Sequence, residues 1–577
     1  MLRAAAMPPD GPAAPTPDAP GSRAVAVRMA LLSAGTLLSR ALGMVRETLI
    51  AATFTVVETD AFFIAWRIPN ALRALLAEGA LSAAFVPVFS ATLVHGRDAF
   101  SGAAPDNAAR AARDLSPEAR DALARSHHEA LREVVARVRA ASLAVLIPLS
   151  VLGVLFARPA LRLLAGDFGG DTARFELSAH LLRQLFPYIF FMGSAAVGVG
   201  VLQSLGRYTA LAFAPALLNV AFLVAPFAFV PLAVRWGLPA VDGLAWGALL
   251  GGALQLVALV PSLRRLGMLP RPVLDLQHPA VRRVGTLLAP QLLGLAIYQI
   301  DVVLSNRFLA SLPAGATSWF SYAQRLADIP QGLFILAIAS SYLPELSRAM
   351  AAGERDAASG MLSRMVRLAV FVAVPVAAIL GCYAEAIVPL VYGYGRFQAL
   401  GPQAVLEVAA SLRWQAANVA LLALVRQLTA VFSAAQDPKT PVLVSGIDLL
   451  VYVALALALR GPLGHVGVAA ALVGSTAVQL GLLAARAPRH LALPWAEVLP
   501  SLARVVLAAA VTGATARALV TVIPWQTPGL VARAMCVAGG AGLITVYVLA
   551  AWLLRIPEVR LLVDKVRRRL GRRPSTV

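Results

Sequence analysis

Apolar residues fall in long blocks along this chain, separated by short connections that carry arginine, and the blocks have the length of a membrane-crossing helix. Six such runs lie near 24–57, 60–94, 138–157, 177–204, 208–233 and 238–263. A basic connection with Arg264, Arg265, Arg271, Arg282 and Arg283 follows, and then runs near 284–309, 316–346, 362–392, 404–434, 439–459 and 464–485. Two more, near 499–523 and 530–555, precede a tail with Lys565, Arg567, Arg568, Arg569, Arg572 and Arg573. The pattern predicts an all-α polytopic membrane protein of about 14 transmembrane helices. Its expected divisions are a disordered cytoplasmic tail 1–23, an N-lobe 24–264 with a cytoplasmic insertion 96–137, a C-lobe 265–487, a last helix pair within 488–556, and a basic cytoplasmic tail 557–577.

Polar positions inside these runs are the second signal. Arg40, Arg46, Glu47, Asp60, Arg67, Arg73 and Glu78 all fall in the first two runs. An ionised side chain at the bilayer centre costs about 2.5–3.5 kcal/mol on insertion scales, so such a set is tolerable only facing a wet cavity or each other. At about 100° per residue, Arg40, Gly43, Arg46 and Glu47 share one arc of the first helix, and its opposite arc is apolar. In the next helix Arg67, Asn70, Arg73 and Glu78 share an arc, with Pro69 free to kink the phase. A polar interior between helices is expected. Reaching out to the interface from a helix end is the simpler account for Asp60 and a poorer one for Arg40.

The second half carries Asp301, Arg307, Arg325, Asp328, Arg413, Arg426 and Asp448 in the same way. Setting Thr59 against Thr317 pairs TDAFFIAWRI with TSWFSYAQRL, so that Phe62 meets Phe320, Ala65 meets Ala323 and Arg67 meets Arg325; farther on, Pro87 faces Pro344. Six runs separate the copies, which implies two parallel six-helix lobes with a binding site between them and a cation from each. Asp328, three residues after Arg325, is a candidate partner for it on the same helix face.

Composition agrees with the class. Of 577 residues, 59% are apolar and 14% charged, and the mean hydropathy is +0.75, which excludes an ordinary soluble protein. The net charge of +20 sits in the connections, as for loops that meet anionic lipid, and no nucleic-acid module is visible. The arginine-rich connections share one side of an even topology, so both termini are expected in the cytoplasm. Arg158, Arg162 and Arg174 in 158–176 run against that rule. Within the long insertion, SPEARDALARSHHEALREVVARVRA reads as a surface helix opened by Ser116 and Pro117, with His127 and His128 solvated. QDPKTP at 436–441 reads as a polar turn. Cys382 and Cys536 imply neither disulfides nor a metal, and no phosphate-binding glycine loop, HExxH or nucleophile elbow is present.

Together SRALGMVRE, TDAFFIAWRIPNALRALLAEGALSAAFVPV, SYAQRLADIPQGLF and QDPKTP make the chain similar, over roughly 30–555, to the MurJ (MviN) family of lipid II flippases, within the superfamily of multidrug and oligosaccharidyl-lipid exporters. The resemblance implies two lobes around a V-shaped cavity, two further helices forming a lipid groove, and no enzymatic activity. It places substrate-binding roles on Arg40, Arg46, Arg73, Arg325, Asp60 and Glu78, to which the residue pattern adds Arg67 and Asn70. The implied ligand is the undecaprenyl-linked peptidoglycan precursor in the bacterial inner membrane. Membrane lipids and cell-wall synthesis proteins complete the implied partner set. Gln324 stands where some relatives have an acid, which leaves Arg325 without a carboxylate there. Asp60 and Glu78 are expected to neutralise the empty arginine cluster. No cofactor is implied, and membrane potential, proton or sodium are all open as the drive. The competing readings are a drug or organic-cation antiporter, an exporter of another polyprenyl-linked oligosaccharide, and a non-transporting scaffold.

Overall fold

The computed structural model describes residues 22–75, 81–96, 116–332, 336–492 and 494–559. Residues 1–21 and 560–577 of the expected tails, 97–115 of the insertion, and Glu78 lie outside them. Among the described residues the regular structure is helical. The first half contains α1 (Ser22–Thr53), α2 (Val56–Arg73), α3 (Leu81–His95), α4 (Pro117–Leu155), α5 (Ala157–Ala165), α6 (Thr172–Leu185), α7 (Tyr188–Ser204), α8 (Thr209–Arg235) and α9 (Asp242–Arg265). The second contains α10 (Pro279–Ala310), α11 (Ala316–Pro330), α12 (Leu336–Ala351), α13 (Arg355–Cys382), α14 (Ala384–Tyr392), α15 (Gly395–Ala399), α16 (Pro402–Ala434) and α17 (Lys439–Arg486). Helices α18 (Trp495–Val522) and α19 (Leu530–Leu553) follow and pack on α13.

Nine helical stretches among the described residues are long and apolar enough to cross a membrane. The stretch Lys439–Arg489 is a hairpin, since α17 reverses at Gly464 (φ 57°, ψ −136°) and Gln479 returns to donate to Ser445. Gly467 allows the closest approach, because a Cβ there would strike the Leu459 carbonyl. The structure describes the expected runs 60–94 and 316–346 in two parts each, on either side of residues 76–80 and 333–335. Helices α2 and α11 both contain a late proline, Pro69 and Pro330, and both widen into a π turn at residues 74–75 and 331–332. Each is followed by a helix with its own proline, Pro87 in α3 and Pro344 in α12. The weak internal repeat is therefore repeated as structure. Its equivalent residues meet: Asp60, opposite Ser318 in the alignment, accepts from Ser318 N–H and Oγ–H at 2.7 and 2.6 Å.

Local chemistry accounts for several helix starts. Thr55 opens α2 with a capping box, accepting from Glu58 N–H at 3.3 Å while Glu58 Oε2 accepts from Thr55 N–H at 2.8 Å. Ser116 caps α4 with Pro117 in its first turn. The expected surface helix is not separate: α4 runs from Pro117 to Leu155 with Pro148 inside it, and Leu131, Val134, Val135 and Val138 are buried in one cluster with α3 and α7. The arginines at 158–176 are neutralised in place. Arg158 pairs with Glu176, Arg162 with Asp167 at 3.1 Å, and Arg174 with Asp60 at 3.2 Å.

Short connections make successive passes antiparallel, so the chain has a basic end, with the connections after α9, α12, α16 and α17, and an opposite end. At the opposite end the two halves share a core of Phe62, Phe63, Ile64, Tyr322, Tyr392 and Phe397. Phe63 and Tyr322 meet edge to face at 5.7 Å, and Tyr322 and Tyr392 are 4.7 Å apart.

The QDPKTP segment at the basic end closes a turn, as its composition predicts. Asp437 accepts from Thr440 N–H and Oγ–H at 3.1 and 2.6 Å and faces His490 Nε2 at 3.1 Å. These donors hold its carboxyl down at about 2. A depressed carboxylate contributes stability that is complete above the unfolded value and lost as pH falls through the folded one. Asp437→Asn should lower the apparent melting temperature of the detergent-solubilised protein at neutral pH. The gap from the parent protein should close as pH approaches about 2.

Candidate substrate cavity

The polar arcs of α1 and α2 face a single cavity of about 1290 Å³ between the halves. Helices α1, α2, α3, α7, α8 and α9 form one wall, and α11 and α16 the other. Arg40, Arg46, Asn70, Arg73 and Arg325 all line it, joined by Arg426 from α16. The acidic lining residue is Asp328.

The cluster is held by one buried carboxylate. Glu47 of α1 accepts from Arg46 Nη2 at 2.6 Å and from Arg325 Nη2 of α11 at 3.1 Å. The same residue supplies the acid missing at Gln324. Arg46 Nη1 donates to Asn219 Oδ1 at 3.0 Å, and Asn219 Nδ2 in turn donates to the Ser39 carbonyl at 2.8 Å, so the guanidinium is oriented from α8. Phe222 flanks it at 5.1 Å. Arg73 Nε donates to Asn70 Oδ1 at 3.1 Å, one turn back on the cavity face of α2. Arg40 reaches across the gap to the Asp328 carbonyl at 3.5 Å, and its guanidinium packs on Gly332, where any Cβ would collide with it. Two buried donors of the wall, Arg46 Nε and Gln255 Nε2, have no partner among the described residues. The result is a cationic, donor-rich chamber suited to an anion with many oxygens.

Two of the expected site residues point elsewhere. Asp60 does not line the cavity but lies fully buried at the opposite end, accepting from Gly315 N–H at 2.7 Å, from Ser318 and from Arg174 Nη1 at 3.2 Å. Gly315 adopts φ 102°, a conformation that leaves its N–H aimed at the carboxylate and that a side chain would strain. Arg174 also donates to the Ala310 and Leu312 carbonyls at 2.9 and 2.7 Å. Asp60 is thus the centre of a clasp between halves and cannot neutralise the cluster; Glu47 does so. Arg67 is likewise off the cavity, donating to Ser321 Oγ at 3.2 Å and standing 5.9 Å from the Phe320 ring. Its repeat partner Arg325 faces the chamber, so the two lobes do not present a matched pair of cations. Asp328 does not pair with Arg325, whose ion pair is with Glu47.

Comparison with known proteins agrees with this architecture. The family model described as "Lipid II flippase MurJ" matches residues 50–535. The chain belongs to the MurJ family. Among relatives, the Burkholderia cenocepacia "Lipid II flippase MurJ" is 34% identical over 447 residues, covering 76% of this chain and 78% of its own. A Vibrio cholerae member, named as a probable lipid II flippase MurJ, is 31% identical over 539 residues, 91% of this chain and 95% of its own. The solved structure "Lipid II flippase MurJ, inward closed conformation" superposes with a TM-score of 0.69 at 20% identity, over 94% of this chain and all of that one. An inward-facing multidrug transporter of the wider superfamily superposes with a TM-score of 0.57 at 18% identity, over 81% of this chain and 98% of that one. Both carry the fold.

Helical phase groups the cavity residues Arg40, Gly43 and Arg46 on α1 and Asn70 and Arg73 on α2, whereas Arg325 was expected from the repeat and the resemblance, and Arg426 only as a charge within a run. Glu47 shares the arc of Arg40 at a phase of about 20°, which was the signal available for it. Among the described residues no group of three or more His, Cys, Asp or Glu could hold a metal. Asp301 of α10 and Asp448 of α17 do stand as two half-buried carboxylates in the second half, each with an Oδ1 that has no partner among the described residues, beside Ser305 and Tyr452 joined at 2.7 Å.

Removing Glu47 leaves Arg46 and Arg325 facing one another without an acid. Loss of one member of a buried ion pair costs about 3–5 kcal/mol. Glu47→Gln should therefore lower the apparent melting temperature sharply, and inorganic pyrophosphate should restore much of the loss by standing in for the carboxylate. Equal melting of variant and parent would refute the bridging role.

Proposed function

We propose that this protein is a flippase that carries the lipid-linked peptidoglycan precursor, lipid II, from the cytoplasmic to the periplasmic leaflet of the bacterial inner membrane. The observation that carries the reading is the cavity itself: five arginines around about 1290 Å³, anchored by one shared carboxylate. A diphosphate bridge presents several oxygens to forked guanidinium groups that stay charged at any working pH. A cationic drug would need the opposite electrostatics, so antiport of organic cations is disfavoured. The names of the relatives at 34% and 31% identity support the same substrate.

The proposed cycle is alternating access between the two lobes. The basic end is assigned to the cytoplasm by its arginines, which puts both termini there and places the Asp60 clasp on the periplasmic side. The headgroup enters the arginine chamber while its polyprenyl tail stays in lipid. Its phosphates compete with Glu47 for Arg46 and Arg325, and because those two arginines belong to different lobes, the exchange alters a contact between lobes. Opening outward requires release of the polar contacts that Asp60 makes with Gly315, Ser318 and Arg174. Moving charge couples the cycle to membrane potential at about 2.3 kcal/mol per charge per 100 mV. Proton or sodium exchange at Asp301 and Asp448 is the alternative source of drive.

The test is complementation of cells depleted of their own lipid II flippase, at equal membrane abundance of each variant. The parent protein should restore growth, and Arg46→Ala and Arg325→Ala should each abolish it with lipid II trapped in the inner leaflet. Failure of a correctly inserted parent protein would refute the substrate assignment.

A further inference from the structure

A second arginine cluster lies outside the cavity, at the end of the molecule that the Asp60 clasp closes. Glu385, the second residue of α14, is 5% exposed and accepts on one oxygen, Oε1, from both Arg413 of α16 and Arg517 Nη1 of α18, the latter at 2.6 Å. Its other oxygen is buried without a partner among the described residues. The guanidinium-bearing side chains are 43% and 51% exposed. One carboxylate against two arginines leaves the cluster with an excess positive charge.

The surroundings make that excess meaningful. Helices α16 and α18 both pack on α13, and α14 continues beyond the end of α13, so the cluster bridges α16 and α18 across that end. Small residues allow the approach: Gly381 lies against the Arg413 backbone and Gly513 against Cys382. On α16, Leu406 and Trp414 are exposed near Arg413, and on α18 Val506, Leu507 and Val511 are exposed one to three turns from Arg517. These are lipid-facing side chains. Arg413 begins about 16 Å along α16 from Pro402, too far inside the helix to be a simple end residue reaching water. Nearby Arg533 differs, since it is spent within the protein, donating to the Gly393 carbonyl at 2.7 Å and stacking on Tyr394 at 4.0 Å.

We infer that Arg413 and Arg517, held apart and oriented by Glu385, form a site for the phosphate of a lipid headgroup in the leaflet opposite the basic end. Each guanidinium spends one of its five N–H donors on Glu385 and directs others outward, where a phosphate oxygen is the anion that a bilayer supplies. Two sources share this chemistry: a resident phospholipid, or the pyrophosphate of the transported lipid after it leaves the cavity. The inference rests on the proposed function only for the second source.

The test is native mass spectrometry of the full-length protein in detergent, carried out in an Arg325→Ala background and read as the change that each further substitution makes, since Arg40, Arg46, Arg73 and Arg426 still line the cavity. The probes are dioleoyl phosphatidic acid and undecaprenyl pyrophosphate, with diacylglycerol as the neutral reference. Arg517→Gln should weaken binding of the phosphate-bearing probes by about tenfold, and Arg517→Lys by less. Glu385→Gln removes the internal competitor and should tighten binding severalfold, a change that a merely structural ion pair would not produce. Tighter retention of undecaprenyl pyrophosphate assigns the site to the substrate, and equal retention assigns it to lipid phosphate in general. Unchanged affinity in Arg517→Gln, or weaker binding in Glu385→Gln, overturns the inference. Complementation by the parent protein would stand in either case, so the two readings fail separately.

Discussion

A carboxylate shared by two arginines across the gap between lobes is the interaction on which the cavity depends. Without Glu47, Arg46 and Arg325 would be like charges facing each other in a poorly solvated chamber, and Arg40, Arg73 and Arg426 would add to the repulsion. With it, the chamber keeps a strong positive field and still folds. The same bridge joins α1 to α11, so the charge balance of the site and the relative position of the lobes are a single variable.

The opposite end uses a different device. There Asp60 is saturated by backbone and side-chain donors from α6 and from the Gly315–Ser318 turn, beside an aromatic core drawn from both halves. Such a fully paired carboxylate is expensive to strip of its partners. The chamber is therefore polar and responsive at its centre and tightly sealed at one end, which is the asymmetry that alternating access needs. The repeat explains why the seal lies where it does. Asp60 and Ser318 are equivalent positions, and equivalent positions meet at the axis that relates two copies.

Much of this was legible in the chain. The apolar runs, the arc of Arg40, Gly43 and Arg46, and the Asp437 turn all follow from contacts within a few residues, where periodicity and local hydrogen bonding decide the outcome. The π turns that follow Pro69 and Pro330 were less so, because a proline signals a distortion without saying which form it takes. The arginines at 158–176 run against the positive-inside pattern, and of their acidic partners Glu176 and Asp167 lie in the same segment whereas Asp60 comes from α2.

The sequence by itself determined the class, the faces and the family: which residues are apolar enough to cross a bilayer, and which polar residues share a helix side. Only the tertiary structure decided the partners. Glu47 takes Arg325 from another lobe, Asp60 turns from the cluster to Arg174, Arg67 leaves the cavity that its repeat mate Arg325 lines, and Arg413 and Arg517 find one Glu385. The reason is physical. Helical phase is set by the geometry of a single helix, whereas the partner of a buried charge is set by whichever helix packs opposite it, and nothing local in the chain specifies that neighbour.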